Sequence, residues 1–123
     1  MTETRQVVLM RTDLGMSIGK MVAQGGHAFE MGKELQEKCD CDRCMKLIYE
    51  WKTTGRTKLV LAVKSEEKMD NLIKKAIDLG IYVYTVEDEG RTTFDGVRTR
   101  TCTVLGIDTK ENLDKVTKRL RLL

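Results

Sequence analysis

Lys20, Gln24 and His27 follow one another at intervals of four and three residues. On a helix, at 100° per residue, they fall within about 60° of one another. A cation, an amide and an imidazole on one stripe can line a polar cleft, although most polar helix faces are simply solvated. Position gives the stripe more meaning. Gly19 and Lys20 open the helix, where unpaired backbone N–H groups and the helix dipole attract anions. A lysine there works against the dipole, so an oxyanion, a phosphate or a carboxylate is expected beside it. Asp88 can supply the carboxylate. It sits in the polar run Glu87-Asp88-Glu89-Gly90, and α/β topology gathers strand ends at one edge of the sheet, where sites usually form. Asp88 and Glu89 also suit a plain turn beside a glycine.

Other catalytic devices are missing from the sequence. There is no G-x-S-x-G elbow, no P-loop and no dinucleotide-binding glycine pattern. A Cys–His dyad would need His27, the single histidine, and no local signature supports one. Cys39, Cys41 and Cys44 form a C-x-C-x-x-C run, with Cys102 far along the chain. Zinc wants four ligands. His27 is a poor fourth, because one helix running from His27 to Cys39 sets them about 18 Å apart at 1.5 Å per residue. Cys102 stays open as a fourth ligand. The run reads as reduced thiols in a helix–helix connection, with no metal expected.

The elements that position these residues follow from hydrophobic spacing. The apolar run at 6–11 is a buried strand. A polar turn containing Gly15 leads to a helix over 18–35, whose stripe is Ile18, Met21, Val22, Gly25, Ala28, Phe29, Gly32 and Leu35. Gly25, Gly26 and Gly32 weaken that helix by up to about 1 kcal/mol each, which points to close packing against a neighbour. A second helix over 43–54 closes at Gly55. A strand at 59–63 follows. Ser65 caps a third helix that carries Glu66 and Glu67 in its first turn and ends at Gly80. Strands at 81–86 and 101–107 flank a polar stretch, and Asp108 with Glu111 begins a last helix in the manner of a capping box. The order β-α-α-β-α-β-β-α predicts an α/β fold with helices on both faces of the sheet. The short link between the last two strands predicts an antiparallel pair, hence a mixed sheet.

The composition sets broad limits. The 123 residues suit one domain, 1–123, large enough to bury a core unaided. Net charge is +3, from 22 basic and 19 acidic residues, so any basic face must be local. No apolar run reaches the roughly 20 residues of a membrane helix. The first residues lack a signal-peptide pattern, so the expected location is cytoplasmic.

The window from Val8 to Ala28 resembles the opening of type 2 peptidyl-tRNA hydrolases. Its Arg11, Asp13, Leu14, Met16, Gly19, Lys20, Ala23, Gln24, His27 and Ala28 match an apolar strand, R-x-D-L-x-M, then G-K-x-A-A-Q-x-x-H-A. Trp51, Gly55 and Lys58, the run Asp88-Glu89-Gly90-Arg91-Thr92, the run Thr103-Val104-Leu105-Gly106-Ile107 and the tail around Leu113 are also similar to that family. The resemblance covers nearly the whole chain. It implies a mixed four-stranded sheet between helices in three layers, frequent homodimers, and hydrolysis of the ester joining a peptide to the 3′-terminal ribose of tRNA. It places catalytic positions on Lys20, Asp88, Thr92 and Thr103, with Gln24 and His27 lining the cleft. It implies no metal or organic cofactor. Ester hydrolysis needs a positioned water and a stabiliser for the tetrahedral oxyanion. Asp88 is expected to orient the water, Lys20 to stabilise the oxyanion, and the two threonines to add hydroxyl hydrogen bonds. Arg11, Arg91, Arg98 and Arg100 are candidate contacts for tRNA phosphates.

Several positions depart from the family pattern. Ile18 replaces a second lysine, Glu89 replaces a small residue, the loop at 94–102 is longer, and Asp108-Thr109 replaces Gly-Pro. These changes surround the mouth of the cleft. They leave a second reading, a non-catalytic module that binds RNA or protein on the same fold.

Overall fold

The computed structural model describes residues 3–90 and 94–123. Four strands, β1 (Thr4–Arg11), β2 (Lys58–Val63), β3 (Val83–Asp88) and β4 (Thr99–Thr109), form one sheet in the order β2-β1-β4-β3. β1 runs parallel to β2, and β4 is antiparallel to both β1 and β3. The sheet is therefore mixed, as the short β3–β4 connection predicts.

Alternation along β1 sorts the core. Val7 and Leu9 face one side, where Met69 and Ala76 of α3 (Glu66–Asp78) and Leu113 and Val116 of α4 (Lys110–Thr117) cover them. Val8 and Met10 face the other side, against Ala28 of α1 (Ile18–Glu37). On that side α2 (Asp42–Thr53) adds Leu47, Ile48 and Trp51 over Ile107. The result is the expected three-layer α/β fold.

α1 must come close to β4, and its glycines explain how. A Cβ at Gly32 would collide with Cγ1 of Val104, and one at Gly25 would touch Cε of Met10 at 3.6 Å. Gly26 meets nothing, so close packing accounts for two of the three glycines. The α1 stripe also differs from the sequence expectation. Ile18 and Val22 are 79% and 70% exposed, and Leu35 is exposed as well. They lie beyond the strip of α1 that the narrow sheet covers. Gly25, Ala28 and Gly32 of the stripe are buried, and Gln24 and Gln36 are buried with them.

Several boundaries differ from the sequence pattern. β3 begins at Val83 and extends through Asp88, and β4 begins at Thr99. Asp88 thus ends a strand, where the sequence pattern suggests a loop. The N-cap of α4 is Thr109, whose hydroxyl accepts from Asn112 N–H. Asp108 is buried and takes both hydrogen bonds from Nη2 of Arg43, at 2.9 and 3.0 Å.

Candidate active site

Ser17 sets the site's first element. It is the N-cap of α1, and its hydroxyl accepts the backbone N–H of Lys20 at 3.1 Å. That capping bond holds the first turn, from which the Lys20 side chain reaches the end of β3. There its Nζ lies 2.7 Å from Oδ2 of Asp88. The other carboxylate oxygen of Asp88 accepts Gly90 N–H at 3.3 Å. The two side chains are 21% and 15% exposed. The pair is shielded enough to resist screening, yet open to a substrate.

Gly90 and the turn at Phe94–Gly96 flank this pair. Gly90 has φ +78°, and any Cβ there would meet Val97 O at 2.6 Å, so only glycine fits. Gly90 O accepts Gly96 N–H at 3.1 Å, which closes the loop. A 3-10 turn at Phe94–Gly96 then sets the Phe94 ring 5.8 Å from Lys20 Nζ, within cation–π range.

Beside the pair is a cleft of about 400 Å³ lined by Gln24, His27, Tyr84, Glu87, Asp88 and Glu89, among others. His27 is exposed on its wall. Gln24 is buried, which rules out the solvated-face reading for that residue. Its Oε1 accepts the hydroxyl of Thr101 at 2.6 Å. Sequence reasoning missed Thr101. A register shift between Val86 and Glu87 leaves Thr101 as the extra residue of a bulge on β4. The bulge turns Thr101 toward α1, and bulges often re-aim a side chain in this way. Strand alternation alone carries no signal for it.

Among the described residues, Thr103, Arg11 and Arg100 are engaged away from the pair. Thr103 is fully buried and stands opposite Leu9 in the register, on the sheet face covered by α3 and α4. Its hydroxyl shares a 2.9 Å hydrogen bond with that of Thr85. The structure therefore puts Thr103 on the opposite face from Lys20 and Asp88. Arg11 is buried and grips Asp13 at 2.7 and 3.1 Å. That bond holds the Asp13 carboxyl below its ordinary range and raises the Arg11 guanidinium. Arg100 is engaged by Asp70 at 2.6 Å and by Glu66 at 3.4 Å. Arg98 is exposed and pairs with Glu87 at 3.1 Å. Arg91 and Thr92 fall outside the described residues.

Comparison with known proteins gives this fold and cleft a family. The family model described as peptidyl-tRNA hydrolase PTH2 matches residues 4–123. A peptidyl-tRNA hydrolase of Methanocaldococcus jannaschii is 36% identical over 120 residues, covering 97% of this chain and 99% of that one. A probable peptidyl-tRNA hydrolase 2 of Dictyostelium discoideum is also 36% identical over 120 residues, but the match spans 98% of this chain and 55% of the relative. A solved protein of unknown function from Agrobacterium shares the fold at a TM-score of 0.62 and 12% identity, over 100% of this chain and 99% of that one. A small α/β domain with a polar cleft at the end of an edge strand is thus the class. The chain belongs to the peptidyl-tRNA hydrolase PTH2 family.

Proposed function

We propose that Lys20 and Asp88 carry the hydrolysis of the ester between a peptide and the 3′-terminal ribose of tRNA. The observation behind this reading is their 2.7 Å contact at the cleft. Asp88 holds a water and takes its proton as the water oxygen attacks the ester carbonyl. An ammonium has three N–H donors, more than the one that Asp88 occupies, so Lys20 also donates to the developing oxyanion. Collapse of the tetrahedral intermediate expels the ribose oxygen, which recovers the proton from Asp88. Gln24, fixed by Thr101, and His27 on the wall orient the incoming acyl-ribose end. Arg98, with the expected Arg91, meets tRNA phosphates. Thr92 keeps its expected role of giving a hydroxyl hydrogen bond to substrate or water. Thr103, locked to Thr85 beneath the sheet, acts as a packing residue.

The test is peptide release from N-acylated aminoacyl-tRNA by the wild type, Lys20→Ala and Asp88→Ala. Each variant is expected to lose on the order of 100-fold or more in rate, the usual effect of removing an oxyanion donor for Lys20 and a general base for Asp88. Equal release by all three would remove the assignment.

The same reading extends to assembly. The exposed Ile18 and Val22 border an apolar groove of about 670 Å³ with Met21, Phe29, Val60 and Leu123. Two copies pair through this face, because an apolar surface of this kind commonly marks an interface. Sedimentation equilibrium checks it: Val22→Asp is expected to sediment as a monomer and the wild type as a dimer.

A further inference from the structure

A second cluster lies away from the cleft, where α1 hands over to α2. Its members are Cys39, Cys41 and Cys44, whose Sγ atoms all lie within 4.8 Å of one another. Tyr82, just before β3, is a neighbour of the Cys39 thiol. From Tyr82 to Asp88 the chain runs along β3, about 20 Å at 3.3 Å per residue. The thiols are therefore remote from Lys20 and Asp88. Cys102 is no part of the group. It is buried among Val8, Met10 and Val104, with its Sγ 3.5 Å from Gln24 O.

The arrangement is fixed from both sides. At the end of α1, Gln36 clamps Ile107: its Nε2 donates to Ile107 O at 2.7 Å, and its Oε1 accepts Ile107 N–H at 2.6 Å. At the start of α2, Arg43 is held by the buried Asp108. Cys39 N–H donates to Gln36 O at 3.1 Å, so the first thiol starts from an anchored turn. Cys41 is the N-cap of α2, and its Sγ accepts Cys44 N–H at 3.3 Å. A helix N-terminus favours a thiolate there. Cys44 is buried, which fixes the third sulfur.

Three metal-bound sulfurs at about 2.3 Å from one ion stand about 4 Å apart. The spacing here needs only a small adjustment to reach that. Soft thiolates select thiophilic d10 ions. Spacing along the sequence lacked a fourth ligand, but neither a trigonal site nor a tetrahedral site completed by water requires a fourth protein residue. We propose that Cys39, Cys41 and Cys44 form a three-thiolate site for a thiophilic d10 cation, which ties the end of α1 to the start of α2. Binding deprotonates any ligand that is still a thiol and releases those protons.

The test uses the full chain, reduced and stripped of metal with a chelator. It is titrated with zinc(II) in one arm and with copper(I), without oxygen, in the other, each against a chromophoric competitor. One equivalent of ion is expected to bind. Uptake of zinc identifies the water-completed tetrahedral form, and uptake of copper(I) alone identifies the trigonal one. Cys41→Ser keeps an N-cap acceptor and Cys39→Ser alters an unburied side chain, so both are expected to fold with unchanged circular dichroism. Each is expected to lose at least about 100-fold in affinity, the upper end seen for removing even an outer partner of a metal ligand. Cys102→Ser is expected to bind like the wild type. Failure of both ions to bind, or binding that survives both Cys39→Ser and Cys41→Ser, would overturn the site.

Discussion

Lys20 Nζ and Asp88 Oδ2 meet at 2.7 Å, although one belongs to the first turn of α1 and the other to the last residue of β3. A pair that works as a unit gives non-additive losses. Lys20→Met and Asp88→Asn are each expected to lower kcat/KM by about 100- to 1,000-fold. The double variant is expected to be no worse than the poorer single one. Multiplied losses in a peptide-release assay would show that the two groups act independently.

Thr101 and Gln24 form a buried hydrogen bond at 2.6 Å. Thr101→Val keeps the shape of the side chain and leaves the Gln24 oxygen without its donor. A buried acceptor stranded in this way costs about 1–3 kcal/mol. Urea unfolding is expected to show that loss for Thr101→Val. KM for the acylated tRNA is expected to rise as Gln24 loosens at the cleft. A variant as stable as the wild type would mean that Gln24 has found another donor.

The same two residues show what the sequence could and could not reveal. Lys20 and Gln24 were legible because helix periodicity sets them on one stripe and because the window from Val8 to Ala28 is dense in family-matching positions. Asp88 was legible as a partner, though its place at a strand end was not, because Asp88 and Glu89 beside Gly90 look like turn residues. Thr101 was hidden by a bulge, since a single extra residue changes which face a strand position occupies. The family-like run led to Thr103 instead, which the register places beneath the sheet. The exposure of Ile18 and Val22 was equally hidden. Periodicity gives the direction of an apolar stripe, but not how much of it a four-stranded sheet can cover. The cysteine run hides its compactness, because spacing along the chain does not show that the three sulfurs converge.

Gly32 lets α1 settle onto β4 at Val104. Gly32→Ala gains helix propensity of up to about 1 kcal/mol, but its Cβ would collide with Cγ1 of Val104. Overpacking of this kind costs about 1–3 kcal/mol, so a net loss is expected by thermal or urea unfolding. Adding Val104→Ala removes the obstructing atom. The Gly32→Ala substitution is then expected to be less harmful, or even stabilising, in the Val104→Ala background. The same penalty in both backgrounds would place the strain elsewhere.

Arg98 and Arg11 should separate binding from stability. The Arg98 side chain is 70% exposed, and its partner Glu87 borders the cleft. Arg98→Ala is expected to raise KM and to flatten the salt dependence by about 0.7–0.9 in log–log slope, the share of one phosphate contact. Its melting temperature is expected to stay near that of the wild type. Arg11 lies buried between Asp13 and Glu66. Arg11→Ala is expected to lower the melting temperature, because it removes the packing of a buried side chain and its hydrogen bonds to Asp13 and to Arg100 O, and to leave the salt slope unchanged. Reversed behaviour would move the phosphate contact to Arg11.

Asp13 gives the fold an acid limit. The hydrogen bond from Arg11, larger than the opposing effect of burial, draws its carboxyl below the ordinary value of 3.8. A carboxyl depressed in the folded state contributes stability that is fully present above its unfolded pKa. That contribution fades as pH falls through the lower, folded value. Asp13→Asn is therefore expected to melt below the wild type at pH 7. The gap should hold steady down to about pH 4, near the unfolded carboxyl value, and close below it as the wild-type carboxylate takes up its proton. Arg11 stays charged throughout, so nothing on its side offsets the change. Melting temperatures of both proteins from pH 2 to 8 check this. A gap that closes between pH 6 and 8 would mean that some group other than this carboxylate governs the difference.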